Sequence, residues 1–90
     1  MSYSIHYYPQ AEDALSSLDS EERNRVLTSV RLMAESGLSN PNIAQLKGIT
    51  EGDPAYVLRA GNNFSVVFTV THNIITVLDV LNRRFAERYG

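Results

Sequence analysis

The sequence predicts an α+β fold in which two early helices pack on one face of a later antiparallel sheet. Three observations lead there. Residues 9–36 carry apolar side chains at helical spacing with no strand signal among them. Residues 56–81 hold three runs rich in β-branched and aromatic residues, separated by short turn-forming groups. A single alternating segment, Tyr3-Ser4-Ile5-His6-Tyr7-Tyr8, precedes both. Helices drawn from one block, with strands gathered mostly in another, segregate to one side of a sheet.

The first strand places Tyr3, Ile5 and Tyr7 on one side. Pro9 ends it and suits the first turn of a helix, where its missing N–H would have no intrahelical partner. Ala11, Ala14, Leu15 and Leu18 then form a narrow apolar stripe on a short helix. Asp19-Ser20 interrupts that stripe and supplies an N-cap for a second helix, whose positive end receives Glu21 and Glu22. Val26, Leu27, Val30, Met33 and Ala34 make its buried face, with Arg23, Arg31 and Glu35 on or near the wet side. Gly37 stops it near Ser36. So short a link between the helices reads as an antiparallel helical hairpin.

Residues 38–54 read as an ordered connection without a strand, held to the core by Ile43, Leu46 and Ile49. The second strand is expected at Tyr56–Ala60, the third at Phe64–Val70 and the fourth at Ile74–Leu81, in a three-stranded meander. Gly61-Asn62-Asn63 and Thr71-His72-Asn73 supply the turns. On the third strand Phe64, Val66, Phe68 and Val70 share a face. Alternation on the fourth groups Ile74, Leu78 and Val80 against Ile75, Val77 and Leu81, apolar on both sides as a central strand would be. On the second, Val57 and Arg59 oppose Tyr56 and Leu58, so leucine toward the helices puts arginine on the uncovered face.

Ninety residues bury enough surface for one domain, taken as residues 1–90. There is no cysteine, so neither disulfides nor thiolate zinc sites hold the fold. His6 and His72 lie far apart in sequence, and no metal or other cofactor is expected. No apolar run approaches the roughly 18 residues a membrane span needs, and the N-terminus lacks a secretory pattern, so a cytoplasmic protein without a membrane partner is expected. The formal net charge is −2, but it is unevenly placed. Residues 1–40 hold six acids and three arginines, whereas residues 41–90 hold four acids and five bases, Lys47 being the only lysine. Ser16, Ser17 and Ser20 have no base arranged nearby for nucleophilic chemistry.

The basic end coincides with the last strand and the residues after it, Asn82-Arg83-Arg84-Phe85-Ala86-Glu87-Arg88-Tyr89. Together with the opening Tyr-x-Ile, Ala-x-x-x-Leu on the first helix, Leu46-Lys47-Gly48, Leu58-Arg59-Ala60-Gly61, Val66-Val67-Phe68 and Ile75-Thr76-Val77-Leu78-Asp79-Val80, the chain resembles the RelE/ParE family of bacterial toxins from type II toxin–antitoxin systems. The resemblance covers almost the whole chain. It implies a cognate antitoxin as partner, in a toxin–antitoxin hetero-oligomer or with a homo-oligomer of the toxin.

For RelE-like members it further implies binding to mRNA on the ribosome and cleavage by attack of a ribose 2′-hydroxyl on the adjacent phosphate. Such chemistry needs cations on the phosphate and groups that steer the protons. By position, Arg59 and Arg83 become phosphate ligands and Tyr89 the residue that orients the substrate, a catalytic set of three, with Lys47, Arg84 and Arg88 as further RNA contacts. Each also has a simpler reading: Arg83 and Arg84 as strand-end charges facing Glu87, Arg59 as a surface residue, Lys47 as part of a loop, Tyr89 as a chain-end residue. The chain departs from the RelE pattern at Ser65, where many members carry arginine, at Tyr56 and Leu58, near positions that carry lysine, and at Asn82, where histidine is common. These departures favour two alternatives: a ParE-like protein that poisons DNA gyrase by binding, and a toxin that only binds its antitoxin.

Overall fold

Tyr8 is the hinge between the first strand and the first helix: its N–H donates to Val77 O at 2.9 Å and its carbonyl accepts from Glu12 at 3.0 Å. The computed structural model describes residues 3–46, 54–61 and 63–82. In chain order these form β1 (Ser4–Tyr7), α1 (Pro9–Ser16), α2 (Ser20–Ser36), β2 (Ile43–Gln45), β3 (Ala55–Ala60), β4 (Phe64–Thr71) and β5 (Ile74–Asn82).

The helix boundaries arise from local chemistry. Pro9 opens α1 at its first turn. Asp19 caps α2, its Oδ1 accepting from Glu22 N–H at 2.8 Å. Gly37 closes α2 at φ 81°, a region that a side chain disfavours, while its N–H satisfies Met33 O at 2.8 Å. Arg23 is more deeply used than a wet-side residue: its Nε donates to Leu15 O at 3.1 Å and Nη2 to Leu18 O at 2.9 Å. One guanidinium from α2 thus ties the end of α1 to the link, adding to the Leu18 N–H bond on Leu15 O at 3.1 Å and satisfying the Leu18 carbonyl.

The sheet has five strands in the order β1-β5-β4-β3-β2. β3, β4 and β5 form the expected antiparallel meander, with β1 added in parallel beside β5. β1 and β2 lie at opposite edges, with both helices between them in the chain. The end of α2 returns to the start of β1, where Tyr3 N–H donates to Ala34 O at 3.0 Å. The β4–β5 hairpin closes on His72-Asn73, with Thr71 opposite Ile74 and His72 at φ 57°, the positive φ that tight hairpin turns demand.

Two expectations need correction. Residues 38–54 contain a strand, β2, antiparallel to β3 with Ile43 opposite Leu58 and Ala44 opposite Val57. The partition of β5 also changes, because the register shifts between Val67 and Phe68, which face Asp79 and Val77. Leu78 is the extra residue of a β-bulge. The bulge reverses the alternation, so Val80 joins Ile75 and Val77 in the core while Leu81 is 41% exposed.

The core lies between the helices and one sheet face. Ala11 and Leu15 of α1 and Val26, Val30, Met33 and Ala34 of α2 meet Leu58, Ala60, Phe64, Val66, Phe68, Ile75, Val77 and Val80. Phe68, on the central strand, is fully buried and stacks on Tyr56 with ring centroids 5.5 Å apart. No described polar or charged residue is buried, so burial of apolar surface dominates this core. No described helix is long and apolar enough to cross a membrane.

Candidate nucleic-acid interface

The sheet face opposite the helices carries the alternate residues of β2, β3 and β4. Because Leu58 is 1% exposed and faces the core, Arg59 must point the other way, and it is exposed. Tyr56 lies with Leu58 on the helix side, against Phe68. Of β3, then, Val57 and Arg59 belong to the uncovered side.

Arg59 sits in a row that crosses four strands. It pairs directly with Ser65 on β4, and Ser65 pairs with Leu81 on β5. On its other side Arg59 N–H donates to Asn42 O at 3.0 Å, which extends the β2–β3 ladder one position before Ile43. Asn42, Arg59, Ser65 and Leu81 thus succeed one another across the face. The next row is apolar on β2, β3 and β4, where Ala44 pairs with Val57 and Val57 with Val67, and it ends on β5 at Asp79. Directly opposed residues place their Cβ atoms roughly 5 Å apart, so the amide, the guanidinium and the hydroxyl lie within reach of one ligand.

A half-enclosed depression of about 480 Å³ opens over these rows, lined by Pro41, Asn42, Ile43, Ala44, Val57, Arg59 and Ser65. Its volume falls within the range of small-ligand sites. Among the described residues the Arg59 side chain has no carboxylate partner, and the one described salt bridge joins Arg25 to Glu21 elsewhere, at 2.8 Å. An exposed guanidinium with no counter-ion among the described residues, over a concave surface, attracts an anion, and its planar fork can grip two phosphate oxygens. Asp79 is held away from this role: its Oδ2 accepts from Gln10 Nε2 at 2.8 Å and its Oδ1 from Val80 N–H at 2.8 Å.

Of the residues singled out from sequence, Arg59 alone lies in the described part. Lys47, Arg83, Arg84, Arg88 and Tyr89 lie outside the described residues. β5 is described to Asn82, which pairs with Phe64, one ladder position beyond the row of Arg59. Sequence reasoning misses Asn42. The signal for it is slight: Asn40-Pro41-Asn42 reads as a turn, and the three-residue alternation of Ile43-Ala44-Gln45 is too short to mark a strand. Among the described residues no three His, Asp or Glu side chains gather as a metal would require.

No protein-family model matches the sequence. No curated protein matches it either. Solved structures do resemble it. The archaeal RelE of the RelE–RelB complex from Pyrococcus horikoshii OT3 superposes with a TM-score of 0.73 at 24% identity, covering 92% of this chain and 97% of that one. The toxin–antitoxin complex RelBE2 from Mycobacterium tuberculosis gives 0.73 at 14% identity, covering 92% and 100%. A variant of the Escherichia coli toxin RelE with two arginines replaced by alanine, in the free state, gives 0.71 at 21% identity, covering 99% and 92%. Two helices on one face of a five-stranded sheet, in this order and connection, make the fold of the RelE toxins.

Proposed function

We propose that this chain is the toxin half of a toxin–antitoxin pair and acts as a RelE-like, ribosome-dependent mRNA endoribonuclease. The observation that carries the reading is the row containing Arg59. RelE-like members commonly bear an arginine where this chain has Ser65, and Ser65 lies directly opposite Arg59 on the same face. Arg59, which the resemblance matches to the family's basic position on this strand, stands beside the departure at Ser65, the two Cβ atoms about 5 Å apart, and leaves one guanidinium on this row.

In the reaction, the ribose 2′-oxygen forms a bond to the adjacent phosphorus and the bond to the 5′-oxygen of the next nucleotide breaks. The 2′-hydroxyl gives up its proton, the leaving oxygen gains one, and a cyclic phosphate remains. Arg59 and Arg83 stabilise the charge that grows on the phosphate oxygens, and Tyr89 orients the substrate. Lys47, Arg84 and Arg88 add contacts to the RNA backbone. None of these steps is routed through a cofactor.

The partner is an antitoxin. The Pyrococcus and Mycobacterium relatives in fold were solved with theirs, and this chain exposes Leu32 and Leu38 at 55% and 37%, apolar surface that a bound segment would cover. The deciding experiment is primer extension across a reporter message in a translation extract. Cuts within ribosome-bound codons that vanish with Arg83→Ala are the expected result. Intact message with translation unaffected would overturn the nuclease reading, and inhibited supercoiling by the pure protein would move the function to gyrase.

A further inference from the structure

The open face sets a row of hydrogen-bonding groups beside a row of small apolar ones. We infer that the depression between them is a nucleotide subsite in which Arg59 holds a phosphate and Asn42 reads the base, with adenine preferred over guanine. The inference rests on the reading of this face as the RNA-binding surface and adds to it a specificity residue outside the proposed catalytic set.

Alternation along the strand comes first. Asn42 and Ala44 are two residues apart on the β2 edge and line the same depression, so both side chains belong to the open face. Asn42 stands beside Arg59, since Arg59 N–H donates to Asn42 O at 3.0 Å. The local turn does not consume the Asn42 side chain: its own N–H is satisfied by Asn40 Oδ1 at 2.8 Å and its carbonyl by Arg59. The amide is left exposed at the rim.

The rest of the site fits a base attached to a sugar phosphate. Ala44 and Val57 pair across the ladder and present a small, flat apolar floor, against which one face of a base loses water. With Arg59 on the phosphate, the group left to address the base edge is a side-chain amide, one donor and one acceptor held in a plane. That pair complements the N6 amino group and N7 of adenine, whereas guanine offers two acceptors on the same edge. Ser65, with a hydroxyl that both donates and accepts, imposes no such choice. Unstacked bases of single-stranded RNA are open to reading on these edges.

The test uses the full chain, isotopically labelled, and four probes: adenosine, guanosine, cytidine and uridine 3′-monophosphates, with inorganic phosphate as the baseline. Amide shifts of Asn42, Ala44, Val57, Arg59 and Ser65 report the site. Adenosine 3′-monophosphate is expected to bind about five- to tenfold more tightly than guanosine 3′-monophosphate, the lower end of what one bidentate contact confers. Asn42→Ala is expected to level the two purines, and Asn42→Asp, which loses the donor, to do the same. Arg59→Ala is expected to weaken all four and phosphate alike. Two purine nucleotides that shift these amides equally in the wild type, or a preference unchanged in Asn42→Ala, would overturn the inference and leave the RNA-binding reading standing. No nucleotide shifting these amides at millimolar concentration would overturn both.

Discussion

Leu58 and Arg59 are neighbours on β3 with opposite environments, 1% exposed and packed in the core in one case, exposed on the open face in the other. Replacing each by alanine therefore separates stability from function. A 90-residue domain has a total stability of roughly 5–13 kcal/mol. Leu58→Ala removes a buried side chain from beneath the helices and is expected to cost about 2–5 kcal/mol, a large share of that total. Arg59→Ala removes a side chain without an ion-pair partner among the described residues and leaves its backbone bonds in place, so its cost is expected to stay within about 0.5 kcal/mol. In urea, with a slope near 1 kcal/mol per molar for so small a domain, the midpoint falls by about 2 M or more in the first variant and by under about 0.5 M in the second. Activity is expected to diverge the other way. A charge-assisted hydrogen bond to phosphate is worth about 1.5–3 kcal/mol, so Arg59→Ala is expected to slow message cleavage by about 10- to 150-fold in a chain that remains folded. Arg59→Lys, which keeps charge but not the planar fork, falls between. Equilibrium unfolding and cleavage rates on the same preparations make the comparison. An Arg59→Ala midpoint as low as that of Leu58→Ala would show that the arginine supports the fold, and undiminished cleavage by a folded Arg59→Ala chain would end its assignment to phosphate.

Two further outcomes come from local structure. Asp19→Ala removes the acceptor for Glu22 N–H and is expected to destabilise the chain by about 0.5–2 kcal/mol in urea unfolding, with Asp19→Ser recovering most of the loss. Burial raises the pKa of the Tyr7 hydroxyl above its usual value near 10. Below about pH 10 the ring is neutral in both states and contributes no pH dependence; above it the unfolded chain releases the proton first, so stability falls with rising pH until the folded state ionises too. Tyr7→Phe is expected to flatten this alkaline decline, measured as the difference in urea midpoints between the two proteins at pH 8, 10 and 11, and parallel curves would count against the burial argument.

The helices are legible in the sequence because their signals are local. Pro9, the Asp19 cap and the Gly37 stop each act within one turn, and the apolar stripes repeat within a few residues. The meander is legible for the same reason, since Gly61 and His72-Asn73 punctuate runs long enough to show their period. Features that depend on distant partners are not. β2 spans three residues and exists because β3 offers an edge to Ile43 and Ala44, which no pattern within residues 38–46 announces. The parallel pairing of β1 with β5 joins residues about 70 positions apart, Ser4 to Ile74 and Tyr7 to Val77. The candidate site divides along the same line. The face of Arg59 is set by its alternation with Leu58, but its neighbours in the row come from three other strands, and only their registers bring Asn42 and Ser65 beside it.

The bulge at Leu78 shows how a local break in pattern serves both faces of the sheet. Strict alternation from Ile75 and Val77 would carry Asp79 into the core and turn Val80 outward. Burying an unpaired carboxylate costs several kcal/mol, more than one hairpin register can offset. The extra residue resets the phase, so Val80 is 7% exposed in the core and the Asp79 carboxylate reaches Gln10 on α1. The same reset orients the end of the strand. Past the bulge, Leu81 stands opposite Ser65 in the row of Arg59, and Asn82 stands opposite Phe64. Without the inserted residue each position beyond Val77 would exchange faces, and the strand would reach its end with Asn82 on the open side in place of Leu81. The position of β5 relative to the row of Arg59 is thus set by an aspartate that cannot be buried.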